Sequence, residues 1–116
     1  MTRIIVIDPS LRYIHEGSLP SEGDGDFLGS IYQTLSTPTS PVKWFQTVQF
    51  KRRDGEIELM CMDEEGLLKP NLNRFLWDHR QPIVGKVFIV GFNDDGEMED
   101  TNLSIEEVGE RITFLS

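Results

Sequence analysis

Hydrophobic residues along the chain follow two spacings, and each spacing predicts one kind of element. The run 3–8 (RIIVID) is apolar, β-branched and stopped by Pro9, which predicts a buried strand. Over 27–35 the apolar residues recur at helical spacing with Asp26 in the capping position, so a helix is expected there. Two prolines within 36–41 end that helix.

The sequence between these two elements is rich in turn residues. Residues 11–15 are expected to form a second extended piece, and the stretch 17–26 (GSLPSEGDGD) predicts a loop. A calcium loop of the EF-hand type that begins at Asp24 would have Leu28 at position 5 and Leu35 at position 12. Leucine supplies no oxygen ligand, so no metal site is predicted in this loop.

The clearest local pattern is a β-hairpin. Two strand-like runs, 42–52 and 56–62, meet at Asp54-Gly55, and Asp-Gly supplies the positive φ angles of a tight turn. In the second run apolar residues alternate with Glu56 and Glu58, which predicts one buried face and one largely polar face.

The second half of the chain predicts two short helices around one strong strand. Asn71 is expected to cap a helix that points the apolar residues of 72–76 inward. The run 83–92 (IVGKVFIVGF) is apolar on both faces, which is typical of a central strand. The segment 104–107 (SIEE) matches a capping box and predicts a helix over 105–112 with an extended end.

These elements predict an α+β fold. A mostly antiparallel sheet that contains the β-hairpin (about 42–62) is expected to carry short helices on one face, in a single domain spanning 1–116. No apolar run approaches the roughly 18 residues of a membrane span. The lone Cys61 has no partner for an internal disulfide, so a cytoplasmic protein is expected.

The charge of the chain is concentrated in its second half. The net charge is 11 − 20 = −9; residues 1–53 hold six bases and five acids (+1), whereas 54–116 hold five bases and fifteen acids (−10). This excess disfavours direct binding of nucleic acids and favours a partner protein with a basic surface. The expected partner-binding acids are Glu56, Glu58, Asp63, Glu64, Glu65, Asp94, Asp95, Glu97, Glu99 and Asp100.

No catalytic pattern stands out in the sequence. Nucleophilic catalysis needs a serine or cysteine beside a histidine, with an acid to orient it. His15 and His79 belong to no such motif, and Cys61 between two methionines fits a packed strand. The protein is therefore expected not to be an enzyme, with no catalytic residue, metal or cofactor.

A motif in the second half resembles a known family. It consists of Asp63-Glu64-Glu65-Gly66, the pair Asn73-Arg74, and the strand segments Ile83-x-Gly85-x-Val87 and Ile89-Val90-Gly91. This motif is similar to one in small uncharacterised proteins, a domain of unknown function, encoded by bacteriophages, plasmids and their bacterial hosts. The resemblance covers roughly residues 60–107. It implies a phage or mobile-element origin, and by association an anti-defence role in the host cytoplasm.

These features allow three functional hypotheses. The leading one is a non-enzymatic acidic protein that binds and inhibits a host or defence protein, with carboxylates standing in for the phosphates of a nucleic acid in its most specific form. The alternative is a protein that sequesters a small ligand such as a nucleotide signal, in a pocket between protomers to which Asn73, Arg74, Gly29 and Gly85 contribute. A purely structural role for Arg74 is also possible, in which it pairs with an acid of 63–65 and binds no ligand. A small enzyme is the third hypothesis.

Self-association is a further expectation. Trp44, Phe45 and Phe50 place aromatic side chains on both faces of the predicted hairpin. A thin sheet does not bury two apolar faces without help, so a homodimer is expected.

Overall fold

The computed structural model describes residues 1–21, 23, 25–69 and 72–115. The described part of the chain forms nine strands, two α-helices and a 3-10 helix at Gly66–Leu68. In chain order, the strands and α-helices are β1 (Thr2–Asp8), β2 (Tyr13–Leu19), α1 (Phe27–Leu35), β3 (Phe45–Lys51), β4 (Ile57–Asp63), β5 (Arg74–Trp77), β6 (Gln81–Val84), β7 (Val87–Phe92), β8 (Met98–Glu99), α2 (Ile105–Gly109) and β9 (Ile112–Phe114). The predicted α+β class with a mostly antiparallel sheet is confirmed.

A six-stranded antiparallel sheet, which we call the large sheet, forms the centre of the molecule. Its order is β2-β1-β7-β4-β3, with the short β8 paired to the end of β7. The predicted hairpin is confirmed, since β3 and β4 pair along their whole length and Gly55 in the turn has a φ of +88°.

A second, three-stranded sheet, the small sheet, corrects the predicted helix over 72–76. Residues 74–77 form β5, which pairs with β6 on one side and β9 on the other. Phe75 and Trp77 alternate inward from this strand and are buried, a two-residue period that the helical interpretation overlooked. Asn71, the expected cap, lies outside the described residues.

The single strand predicted over 83–92 is in fact two strands in two different sheets. Gly85 has a φ of +83°, a conformation that breaks the extended backbone between β6 and β7. The apolar character of the run reflects burial on both sides of this break, because Val84 and Val87 are both buried.

Two other boundaries also differ from the prediction. The loop expected from residue 17 onward begins later, because β2 continues to Leu19, where it pairs with Thr2. The C-terminal helix is shorter than expected: α2 ends at Gly109 and the chain continues into β9. The capping box is confirmed, with the Ser104 side chain accepting from the Glu107 amide and the Glu107 side chain accepting from the Ser104 amide.

Apolar side chains fill two cores, one on each face of the large sheet. One core lies against α1 and includes Ile31, Cys61 and Phe88. The other lies between the large sheet and the small sheet, and Val108 of α2 and Phe75 belong to it. The two helices therefore lie on opposite faces, not together on one face, because the small sheet and α2 cover the side left open by α1.

Each face of the hairpin makes an aromatic contact within the chain. Phe45 packs edge-on against Tyr32 of α1 with ring centroids 5.4 Å apart, and Phe50 packs edge-on against Trp77 at 5.1 Å. Trp44 remains 61% exposed. The aromatic residues that suggested a homodimer thus have partners in the monomer, apart from Trp44, and dimerisation stays a prediction.

Candidate functional site

Six of the ten predicted acids gather at one end of the large sheet. The pairing of β4 with β7 places Leu59 opposite Val90, so the β3–β4 turn lies beside the β7–β8 turn. A surface cavity of about 400 Å³ between the two turns is lined by residues that include Glu56 and Asp94. We call six exposed carboxylates at these turns and at β8 and its end the acidic end: Glu56, Asp94, Asp95, Glu97, Glu99 and Asp100. Asp54, also exposed in the β3–β4 turn, is paired with Arg52 and is not one of them.

The β7–β8 turn holds its acidic side chains outward through one asparagine. The side-chain oxygen of Asn93 accepts hydrogen bonds from the backbone amides of Asp95 and Glu97, each 3.0 Å long. Gly96 completes the turn with a φ of +82°. The side-chain nitrogen of Asn93 also donates to the Glu97 carboxylate at 3.4 Å, and Asp94 and Asp95 are exposed.

The acidic end is not neutralised from within the described residues. None of its six carboxylates forms an ion pair there; Asp100 accepts only from the backbone amide of Arg3, at 2.7 Å. The nearby arginines are already engaged: Arg53 pairs with Glu110, and Arg52 pairs with Asp54 and Glu58. The hydrogen bond from Arg52 also holds the pKa of Asp54 below its ordinary value.

Two of the predicted surface acids are buried, which corrects their assignment. Glu58 is 1% exposed and accepts hydrogen bonds from Arg52, from the Thr101 hydroxyl and from the Asn102 amide. Asp63 is 6% exposed and pairs with the ammonium of Lys69 at 2.5 Å. The alternation in β4 placed Glu58 on an outer face, but both faces of this central strand are covered.

The remaining two predicted acids lie at the other end of the sheet. Glu64 and Glu65 follow the C-terminus of β4, and the Glu64 amide donates to the Trp44 carbonyl at 3.0 Å. Glu56 precedes the same strand, so about eight residues, or roughly 26 Å of strand, separate Glu56 from Glu64. The ten acids thus form no continuous surface, and only the six of the acidic end lie together.

Within one chain, the four residues of the alternative ligand pocket do not all line one cavity, and a pocket between protomers stays a prediction. The Gly85 amide donates to the Asn73 carbonyl at 2.9 Å, and both residues line a cavity of about 290 Å³ beside Asp8. Arg74 and Gly29 do not line this cavity. Gly29 lies on the exposed side of α1, and a Cβ added there would meet no atom of another element within 4 Å. The structural role expected for Arg74 was an ion pair with an acid of 63–65; in the structure Lys69 makes the ion pair with Asp63.

Cys61 and the two histidines each have different surroundings and form no catalytic group. Burial raises the pKa of the Cys61 thiol to about 12, which leaves it unreactive at neutral pH. His15 stacks on Tyr13 with ring centroids 5.4 Å apart. His79 contacts the Thr113 hydroxyl at 2.6 Å and the carbonyl oxygen of Glu110 at 2.7 Å. In the described part of the chain no cluster of His, Cys, Asp or Glu is placed to hold a metal ion.

Sequence reasoning missed a groove between the edges of the two sheets. It has a volume of about 480 Å³ and runs between β3 of the large sheet and β6 of the small sheet. Its lining includes the buried side chains of Met60, Met62 and Trp77, with Val48 and Leu67 at the rim. The groove is invisible in the sequence because residues 74–77 were expected to form a helix.

Neither helix within the described ranges has the length and apolar content needed to cross a membrane.

The chain matches no protein-family model, no curated protein and no solved structure. The family resemblance drawn from roughly residues 60–107 therefore stays a prediction, and only the geometry of the molecule bears on function.

Proposed function

We propose that this protein is a non-enzymatic interaction protein that binds a partner protein with a basic surface through the acidic end. The observation that carries the proposal is the placement of six exposed carboxylates on two adjacent turns and the end of β8, without an ion pair among the described residues. Acids elsewhere in the chain, in contrast, form ion pairs with basic side chains: Glu16 pairs with Arg3, and Asp78 pairs with Arg111.

The physical basis is electrostatic. Unpaired charges of one sign that lie within a Debye length of about 8 Å reinforce one another at physiological salt. Such a surface accelerates encounter with an oppositely charged protein and repels nucleic acid. A host or defence protein that itself binds nucleic acid has a basic surface of the required kind, which is the partner class we propose.

The acidic end supports binding to a basic protein, but its compact shape argues against mimicry of a long nucleic-acid duplex. A mimic of a long duplex would need its carboxylates spread along the molecule. Glu64 and Glu65 are roughly 26 Å of strand away from the six, and Glu58 and Asp63 are buried. We therefore propose a compact patch that meets a basic site, with inhibition of the partner as the consequence.

The test immobilises the wild type and two charge-matched double variants and passes over each a lysate of cells that carry the gene for this protein. Asp94→Asn with Asp95→Asn removes two charges from the acidic end. Glu64→Gln with Glu65→Gln removes the same charge at the opposite end of β4. We expect captured basic proteins, quantified by mass spectrometry, to fall at least tenfold for the first variant and stay unchanged for the second. Equal capture by both variants would overturn the proposal.

A further inference from the structure

Among the described residues, the outer edge of β3 is the one long strand edge that lacks a feature to prevent pairing with another strand. The opposite edge of the large sheet, β2, carries Glu16 and is contacted by both α1 and α2. In the small sheet, β6 carries Pro82, which has no amide to donate, and β9 has three residues. By contrast β3 has seven residues and no charge, proline or bulge from 45 to 50.

The hydrogen-bond phase of the hairpin shows which backbone groups of β3 face outward. Arg52 donates to the Glu56 carbonyl at 2.7 Å, and Glu64 donates to the Trp44 carbonyl at 3.0 Å. The even-numbered residues therefore pair with β4, and the amides and carbonyls of Phe45, Thr47, Gln49 and Lys51 point away from the sheet. Of these groups, the Lys51 carbonyl accepts from Arg111 at 2.9 Å.

The groove adjoins this edge. Residues 46 and 48–51 line it from β3, and the apolar floor comes from Met60, Met62 and Trp77. A strand added to the edge would send every second side chain toward the groove. Apolar side chains at these alternating positions would cover Val48, which is 40% exposed, and Leu67, which is 80% exposed.

Charge narrows the class of strand that fits. Residues 42–53 carry four bases and no acid in a chain of net charge −9. Arg52 and Arg53 are paired, whereas Lys43 and Lys51 are exposed and make no ion pair with any described residue. Lys51 is the last residue of β3 and Lys43 lies two residues before its first residue, so the two lysines are at most roughly 26 Å apart. Of the acids that line the groove, Asp63 and Asp78 are paired with Lys69 and Arg111, which leaves Glu64 as the one without an ion pair to a described residue. A second copy would place the basic segment against itself, so a strand with acidic residues opposite Lys43 and Lys51 fits better.

We infer that the β3 edge is a binding site for an extended segment of another protein, about nine residues long, with alternating apolar residues and an acidic residue near each end. The segment adds a strand to the large sheet through the outward amides and carbonyls of β3. Its apolar side chains enter the groove, and its acidic ends meet Lys43 and Lys51. This site goes beyond the proposed function. It adjoins the acidic end at Lys51, which lies opposite Ile57, but it consists of the outer edge of β3 and the groove.

The test uses a displayed library of random nine-residue peptides and two variants at one position. Thr47→Pro removes an outward amide without breaking a hydrogen bond to β4, whereas the control Thr47→Ala keeps that amide. Thermal unfolding of both variants checks that the fold is retained. We expect enriched peptides with acids near both ends to bind the wild type and Thr47→Ala equally, and Thr47→Pro at least tenfold more weakly.

Three results would overturn the inference. One is a library that yields no enriched peptide. Another is enriched peptides that bind Thr47→Pro as well as they bind Thr47→Ala. The third is a wild-type protein that sediments as a dimer while Thr47→Pro sediments as a monomer, because a second copy would then occupy the edge. Lysine-rich peptides whose binding is lost with Asp94→Asn and Asp95→Asn bind the acidic end, so a library that yields only such peptides counts as the first of these results.

Discussion

The carboxylate of Glu58 and the guanidinium of Arg52 form an ion pair 2.8 Å long, in which the Glu58 side chain is 2% exposed and the Arg52 side chain 12%. The second oxygen of Glu58 accepts from the Thr101 hydroxyl, so the carboxylate joins the β3–β4 hairpin to the segment after β8. A residue that the sequence placed on a partner-binding surface is thus part of the interior.

Removing the base of this pair should destabilise the protein strongly. Arg52→Ala leaves the buried Glu58 carboxylate without its counter-charge, which costs about 3 kcal/mol for a buried pair. Arg53→Ala is the matched control, because its pair with Glu110 is exposed on both sides and contributes about 0–1 kcal/mol. Urea unfolding of both variants measures the difference. Similar midpoints for the two variants would contradict the structural role of Glu58.

A second prediction concerns acid stability and the pair of Asp78 with Arg111. Arg111 donates to the Asp78 carboxylate from Nε at 2.6 Å and from Nη2 at 2.9 Å, and this holds the pKa of Asp78 below its ordinary value of 3.8. A lowered folded-state pKa stabilises the fold above pH 3.8, and this stabilisation is lost as the pH falls through the lowered value. The wild type should therefore be more stable than Asp78→Asn at pH 7.

Unfolding curves of the wild type and Asp78→Asn across the acid range check this sign. The gap between them should be constant from pH 7 to about pH 5 and should close at pH values below 3.8. A gap that widens with falling pH would mean that the Asp78 carboxylate is not stabilised by Arg111.

The elements that the sequence predicts well are those fixed by local chemistry. The helix over 27–35, the turn at Asp54-Gly55 and the capping box at 104–107 each depend on neighbouring residues, and all three are found in the structure. Asp26 does precede the helix, but its side chain makes no capping hydrogen bond. Local pattern therefore located the helix without establishing how its first turn is capped.

The elements that the sequence predicts poorly depend on distant partners. Phe75 fits a helical face as well as a strand face, and only pairing with β6 and β9 selects the strand. Burial of Glu58 depends on Thr101 and Asn102, more than forty residues away. The acidic end likewise required the β4–β7 register, since spacing along the chain does not show which acids become neighbours.

The two glycines of the alternative ligand pocket should respond to alanine in opposite directions. Gly85→Ala forces a positive φ on a residue with a side chain and brings its Cβ to 3.3 Å from Leu72, so a loss of about 1–2 kcal/mol is expected. Gly29→Ala lies in a helix with open space around it and should add about 0.5–1 kcal/mol. Thermal unfolding of the two variants decides this, and a stabilising Gly85→Ala would contradict the conformation of that turn.

Cys61 should react only when the protein unfolds. Its thiol is buried and burial raises its pKa to about 12, so little thiolate exists at pH 8. A thiol reagent such as iodoacetamide should leave the native protein unmodified and label it fully in denaturant, as mass spectrometry would record. Rapid labelling of the native protein at pH 8 would show that the core around β4 opens more easily than its packing indicates.

The salt dependence of partner binding tests the central proposal most directly. Once a basic partner has been captured, its affinity is measured between about 50 and 500 mM NaCl for the wild type and both charge-matched double variants, because screening weakens contacts between exposed charges. We predict a steep loss of affinity with salt for the wild type and for Glu64→Gln with Glu65→Gln, and a weaker, flatter response for Asp94→Asn with Asp95→Asn. An affinity that is independent of salt, or equally steep slopes for all three proteins, would contradict binding through the acidic end.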